Sequence, residues 1–404
     1  MAEHVPNPSS INHINRRAFL GGMAAATLPL VPGATGGELL GQQSMDQGER
    51  LVPALIIRQR NPNNLEFPFS TLNRFLTPND LFFVRTHFEV PELDAQTWRL
   101  KVEGAVEKTI DISFDELKKM PSRTVTALLE CAGNSRLYLT SPQLGLRWEQ
   151  GGVSNAEWTG VPLAEVLHRA GVKDSAVEVV LEGADQGKYE PPEPKTPGII
   201  SYARSLPLLK AKQPEVLLAY QMNGQELPAA HGFPVRVVVP GWYGMASVKW
   251  LTRIVVTDRP FQGFFQTFTY TYWRRRHGLA DLVPVTEAQV KAQIARPAAF
   301  ETVAANTKYR MFGAAWTGEG TVAKVAVSVD RGKTWTDAQL LDRPVPYAWR
   351  FWEFEWRTPA QPGRYTVMAR ATDDQGRVQP MERDEDRRDT MISHIQPIPV
   401  EVRC

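Results

Sequence analysis

Apolar and polar residues alternate along several short stretches of this chain, and the alternation predicts strands. Trp98-Arg99-Leu100-Lys101-Val102-Glu103-Gly104 reads as a half-buried strand. Leu81 to His87 is an apolar run ending in polar groups, a short strand meeting a loop. Val125 to Leu129 predicts a strand that runs straight into Glu130-Cys131-Ala132-Gly133-Asn134-Ser135-Arg136, which places Cys131 where a strand ends and a loop opens. Val177 to Leu181, Val235 to Val239 and Trp250 to Val256 are further apolar strands, the second bounded by Pro234 and Pro240. Two helices are expected. One begins at Ser113, with Glu116 three residues on as the partner of a capping box. The other covers Pro162 to Ala170, with Gly171 just past its end. Residues 37 to about 70 read as irregular, and Asp185 to Pro197, rich in Pro and charge, as a loop.

From about residue 286 the texture changes. Val325, Val327 and Val329 alternate up to the turn Asp330-Arg331-Gly332, and Trp349 to Trp356 and Arg364 to Ala371 alternate again. Short strands at turn-punctuated spacing predict an all-β, immunoglobulin-like sandwich. A linker is expected around Gly278 to Pro297. The domains expected are thus residues 37–285, of α+β class, and the sandwich at 286–404.

A chain of 404 residues suits two or three domains, and 43% hydrophobic with 22% charged residues is ordinary for a globular protein. The net charge of +2 argues against a nucleic-acid or membrane-surface footprint. Residues 1–36 stand apart. Arg16-Arg17-Ala18-Phe19-Leu20 leads into an uncharged apolar run from Ala18 to Val31, followed by small residues, the layout of a cleaved export signal of twin-arginine type. The run is shorter than the ~20 residues that span a bilayer, so a soluble, periplasmic or otherwise exported product without a membrane span is expected. Removing Glu3, Arg16 and Arg17 would take one acid and two bases, leaving +1 in place of +2. Of the two cysteines, Cys404 is the last residue. Count alone leaves a disulfide open beside a lone functional thiolate at Cys131.

Four segments each place a cation at a strand edge or in a Gly-containing loop: Phe83 to His87 with Arg85, Cys131 to Arg136, His231 to Arg236, and Gly244 to Trp250 with Lys249. Such groups suit a ligand bearing phosphate or other oxyanions, because Arg offers a planar fork of donors. A single cation beside a strand is more often a surface charge, and it is the fourfold recurrence that points to a site.

These segments resemble the sulfite oxidase family. Cys131-Ala132-Gly133-Asn134-x-Arg136 matches its molybdenum-cysteine motif, and His231-Gly232-Phe233-Pro234-Val235-Arg236 through Gly241, with Val248-Lys249-Trp250-Leu251, matches its pterin-binding stretch. Arg85-x-His87 sits where the family has Arg-Asn-His. The resemblance runs from about residue 75 to 400, and the sandwich resembles the family's dimerisation domain, which implies a homodimer. It implies Cys131 as the thiolate on molybdenum, which would take Cys131 out of any disulfide. It implies His87, Asp185, His231, Arg236, Ser247 and Lys249 as contacts of a molybdopterin without nucleotide. Arg85, Arg136 and Arg388 would make the oxoanion pocket, with Trp148 as its wall. Tyr270, 21 residues beyond Lys249, would be the active-site tyrosine.

The implied reaction is oxidation of sulfite to sulfate by oxygen-atom transfer. Neither a His-Pro-Gly-Gly motif nor Cys-x-x-Cys-His occurs, so no haem is expected and the electrons would pass to an external acceptor, a c-type cytochrome. Ser135 stands where many of these enzymes have Arg, which suggests one fewer cation beside the pocket and widens the choice of substrate. Alternatives on the same scaffold are a sulfane dehydrogenase subunit of a thiosulfate-oxidising complex and a sulfoxide or nitrate reductase. A binding protein without metal is the reading from a different class.

Overall fold

The computed structural model describes residues 54–140, 145–190 and 194–404, which pack as one unit. The expected export signal, residues 1–36, lies outside the described residues. Two five-stranded sheets build the first part of the fold. One runs Ile110–Ser113, Arg99–Gly104, Leu251–Thr257, Glu178–Gly187, Ile200–Pro207. The other runs Gln225–Glu226, Leu217–Met222, Val153–Pro162, Arg123–Glu130, with Arg236–Val238 also on Leu217–Met222. The apolar positions of the alternating strands supply the cores: Leu100, Val102, Ile112, Leu181 and Ile254 are buried together behind the first sheet. That burial drives assembly, at about 1.5–3 kcal/mol for each large aliphatic side chain.

The local signals are realised. Ser113 caps Phe114–Lys118 with a complete capping box. Leu163–Ala170 ends at Gly171, whose φ of 69° is the left-handed conformation that glycine adopts without strain. The C-terminal region pairs Lys291–Arg296, Lys308–Trp316, Arg350–Arg357 and Gln339–Leu340 in one sheet, and Thr302–Ala304, Ile398–Arg403, Gly363–Asp373, Val322–Ser328 and Thr336–Asp337 in another. Their inner faces meet through Met311, Val325, Val327, Trp352, Val367 and Val400, as a β-sandwich requires.

Four expectations are corrected. Residues 37–70 are not wholly irregular: Ile56–Gln59 and Asn64–Glu66 form an antiparallel pair. The strand at 178 does not stop before Asp185 but runs to Gly187, because its second half pairs with Ser201 and Ile200. Leu81 to His87 contributes only a bridge, Val84 to Leu65. The expected linker is structured. His277 and Gly278, with φ of 50° and 81°, turn a hairpin between Thr271–Arg276 and Leu279–Pro284. Lys291–Arg296 is already a sandwich strand, held by the burial of Ala292 and Ile294.

Candidate functional site

The site opens between the loops that follow these strands. The pair at residues 56–66 fixes its first edge: Asn64 Oδ1 accepts from Thr86 N at 2.8 Å and from Arg85 Nη1 at 3.4 Å. Arg85 and His87 thereby project from one short segment into a common space. The strand Arg123–Glu130 delivers Cys131 as a free, buried thiol, its N–H donating to Gly152 O at 2.8 Å. The loop closes tightly after it. A Cβ on Gly133 would lie 2.3 Å from Arg136 Nη2, so only glycine lets the Arg136 guanidinium fold back across the loop. That guanidinium donates to Asp389 O at 2.9 Å and Leu146 O at 2.7 Å. Gly232, at φ 110°, brings the backbone against the Cβ atoms of Arg236 and Lys249.

An inner chamber is lined by Arg85, His87, Cys131, Asp185, His231, Arg236, Ser247, Lys249 and Tyr270, with Phe82, Phe83, Tyr202, Met245 and Trp250 among its walls. It shares Arg85, His87, Cys131 and Tyr270 with an outer cavity of about 670 Å³, to which Arg136, Gln186, Lys188 and Asp389 also contribute. Ten of the twelve residues singled out from sequence therefore line one continuous space, with Cys131 at the junction.

Two do not line it. Trp148 is buried behind the cysteine loop, its ring edge-on to Phe83 at 6.2 Å, and among the described residues its indole Nε1–H has no hydrogen-bond partner. Arg388 is exposed, its guanidinium turned to Phe268 O and Thr271 Oγ1. Its neighbours Asp389 and Thr390 reach the outer cavity and it does not. Ser135, where the resemblance suggested one fewer cation beside the pocket, lines neither cavity, and its Oγ accepts from Lys291 Nζ at 3.0 Å.

The electrostatics of the chamber are one-sided. Burial pushes His87 far below the usual imidazole range, and Arg85, Lys249 and Arg204 push the same way. His231 is lowered to about 3 by burial, then by Lys249 and Arg236. Its Nε2 stands 3.1 Å from Asn79 O, which makes that nitrogen the donor of a neutral ring. Burial lowers Arg236 to about 9 and Lys249 well below the ordinary ammonium value. Asp185 is raised to about 7 by burial, against the attraction of Lys249, and among the described residues its Oδ1 has no hydrogen-bond partner. His87 Nε2 lies 2.6 Å from Tyr270 OH, and its ring stacks on Tyr202 at 4.4 Å.

Backbone carbonyls take up donors of the chamber's cations, Arg236 giving to His231 O at 2.9 Å and Ser247 O at 3.1 Å and Lys249 to Ala230 O at 2.8 Å, but their charge faces a single lining carboxylate, the incompletely satisfied Asp185. That arrangement fits a ligand with a phosphate-type anion and polar ring edges, since such a ligand accepts from the cations and gives Asp185 Oδ1 a donor. The free thiol beside the chamber fits a thiophilic metal, which a thiolate ligates more readily than oxygen donors do. The donor set therefore fits a molybdenum pterin.

Sequence reasoning missed Tyr202, Arg204, Glu130 and Lys291. Arg204 is fully buried, donates to Val285 O at 2.9 Å and lies 5.9 Å from the Tyr270 ring centroid. Its signal was present: Tyr202, Arg204 and Leu206 share the inward face of one strand, and an Arg on an inward face calls for a specific partner.

Two family descriptions match the chain, an oxidoreductase molybdopterin binding domain over residues 87–265 and a Mo-co oxidoreductase dimerisation domain over residues 283–391. Mitochondrial sulfite oxidase of Mus musculus is 38% identical over 354 residues, covering 81% of this chain and 62% of that protein. The chain thus spans less than two thirds of the length of that relative. Sulfite oxidase of Gallus gallus is 36% identical, covering 81% of this chain and 73% of its own length. Among solved structures, the sulfane dehydrogenase SoxCD of Paracoccus pantotrophus superposes with a TM-score of 0.74 at 28% identity, over 89% of this chain and 92% of that one. With its thiol, its cation-lined chamber and these likenesses taken together, the chain belongs to the sulfite oxidase family of molybdopterin oxidoreductases.

Proposed function

We propose that the protein oxidises sulfite to sulfate, sulfite and water giving sulfate, two protons and two electrons. The observation that carries the reading is the junction at Cys131. A buried free thiol adjoins the cationic chamber on one side and a cavity edged by Arg85 and Arg136 on the other. Cys131 would ligate molybdenum, and His87, Asp185, His231, Arg236, Ser247 and Lys249 would hold a pterin without nucleotide. When bound, that centre supplies a two-electron acceptor for oxygen-atom transfer to sulfur.

The chain's own residues supply orientation and charge. Arg85 and Arg136 offset the desolvation of a small dianion and aim its lone pair inward. With neutral His87 as its Nε2–H tautomer donating to the Tyr270 oxygen, the phenol keeps its own proton to donate at the boundary of chamber and cavity. Burial raises the Tyr270 phenol above its ordinary value, with Arg85 acting against that, so it stays protonated at neutral pH. Electrons would leave singly to an external c-type cytochrome. The sandwich, at 286–404 after a cofactor domain at 37–285, would pair two copies of the chain. Residues 1–36 would direct export; among the described residues no helix is long and apolar enough to cross a membrane.

A second reading is sulfane dehydrogenation, supported by the likeness to the Paracoccus enzyme and by an outer cavity of about 670 Å³, far larger than sulfite. One assay separates them: sulfite-dependent reduction of ferricyanide and of cytochrome c by protein of measured molybdenum content. Turnover near one molybdenum per chain supports sulfite oxidation. Full loading without sulfite turnover rejects it and favours a carrier-bound sulfane substrate.

A further inference from the structure

Residues 130–135 are gripped from the sandwich side. Glu130, 1% exposed, accepts from Lys291 Nζ at 3.0 Å and Asn134 Nδ2 at 3.1 Å on Oε1, and from Trp316 Nε1 at 2.9 Å on Oε2. Lys291 Nζ also donates to Ser135 Oγ at 3.0 Å, and Gln293 Nε2 to the same oxygen at 3.2 Å. Met391 N donates to Ala132 O at 2.8 Å. Lys291, Gln293 and Trp316 come from two sandwich strands, and neither Glu130 nor Lys291 lines either cavity. An ion pair with both side chains 1–2% exposed is no more stabilising than a well-packed apolar pair would be, so stability alone does not account for it. What the network does fix is geometry. It pins the residue before Cys131 and the third and fourth residues after it, which sets the direction of the thiol.

We propose that Glu130 and Lys291 are positioning residues for Cys131. The sandwich then does more than pair subunits: through Lys291 it orders the cysteine loop of the active site. Only the second readout below rests on the metal-ligand reading of Cys131.

The test uses the full chain with C404S as background, leaving Cys131 as its one thiol. In protein prepared without molybdenum, iodoacetamide labelling of Cys131 is compared with and without K291M, well below the melting transition. Labelling about tenfold faster or more in K291M is expected, because the buried loop opens more often when its anchor is removed. An unchanged rate overturns the proposal. In molybdenum-loaded protein, the thiolate-to-metal absorption band should shift in K291M, as a merely stabilising role would not require. An unmoved band in loaded K291M also overturns it. Should K291M fail to fold, E130Q/K291M removes both buried charges and replaces it, with the same faster labelling expected and the same refutation by an unchanged rate. If the unsubstituted chain takes up no molybdenum, it is the proposed function that fails, and the labelling comparison still decides the role of Lys291.

Discussion

Two buried groups of charge flank Cys131, and they are built in opposite ways. At the junction, Glu130 and Lys291 satisfy each other and the remaining hydrogen-bonding capacity goes to Asn134, Ser135 and Trp316. Burial still draws Lys291 below the ordinary ammonium range, but Glu130 opposes it. In the chamber, burial disfavours the charged forms of Arg236, Lys249, His87 and His231, neighbouring cations add to that for the last three, and among the described residues one oxygen of Asp185 has no hydrogen-bond partner. Charge that is compensated within the chain belongs to the scaffold. Charge that is left uncompensated marks the place where something else must bind.

The largest effect should come from the residue between them. Cys131→Ser should abolish sulfite-dependent turnover while leaving the pterin bound. The loss should exceed the about 10–100-fold typical of removing an outer-shell partner of a metal ligand. Turnover within that smaller range would demote Cys131 from ligand to neighbour.

The comparison itself is sharpest in the ligand-free chain under urea. Lys291→Met strands a buried carboxylate and should lower stability by about 3–5 kcal/mol. Arg236→Met removes a cation that burial already disfavours, together with its bonds to His231 O and Ser247 O, and should cost less than Lys291→Met while eliminating pterin binding. Equal stability losses from the two substitutions would erase the distinction between scaffold and site.

How much of this was legible follows the same division. Cys131, Arg136, His231, Arg236 and Lys249 sit in contiguous motifs and could be named before any fold was known. The capping box at Ser113 and the stop at Gly171 are equally local. The junction was not legible, because Glu130 and Lys291 meet across a sequence separation of 161 residues and leave no pattern in either neighbourhood. Trp148 and Arg388 show the reverse error. Their positions in the chain suggested a pocket, whereas packing against Phe83 holds Trp148 behind its wall and bonding to Phe268 O holds the exposed Arg388 outside it. The supposed linker failed for a simpler reason: Gly278 and the prolines of that stretch punctuate strands as well as linkers.

A smaller effect should appear with pH. His231 titrates at about 3 in the folded chain against 6.5 when free. Between those values the unfolded chain binds the additional proton, so stability rises with pH across the window and falls on acidification. With His87 displaced in the same direction, the ligand-free chain should lose about 2 kcal/mol or more from pH 6.5 to about pH 5. His231→Gln should flatten that slope. Bound phosphate should flatten it too, because an anion restores the charged imidazole. A slope indifferent to His231→Gln would place the acid sensitivity elsewhere in the fold.

The smallest effect separates the two groups at a single hydroxyl. Ser135 accepts from Lys291 and Gln293 and lines neither cavity, so its oxygen serves the junction alone. Ser135→Ala leaves Lys291 its bond to Glu130 but takes the acceptor from Gln293 Nε2, and should cost about 1–2 kcal/mol, the worth of one buried hydrogen bond whose donor keeps another partner and one whose donor loses its acceptor. The KM for sulfite should not change, since no cation or donor of the outer cavity is touched. A raised KM with stability intact would mean that this position reaches the substrate after all, through the backbone that Ser135 holds at a φ of 76° just before Arg136. Ser135→Gly tells these apart: it keeps that backbone conformation without strain and removes only the hydroxyl, so a KM that rises in Ser135→Ala and recovers in Ser135→Gly would trace the effect to loop geometry and not to the bond with Lys291.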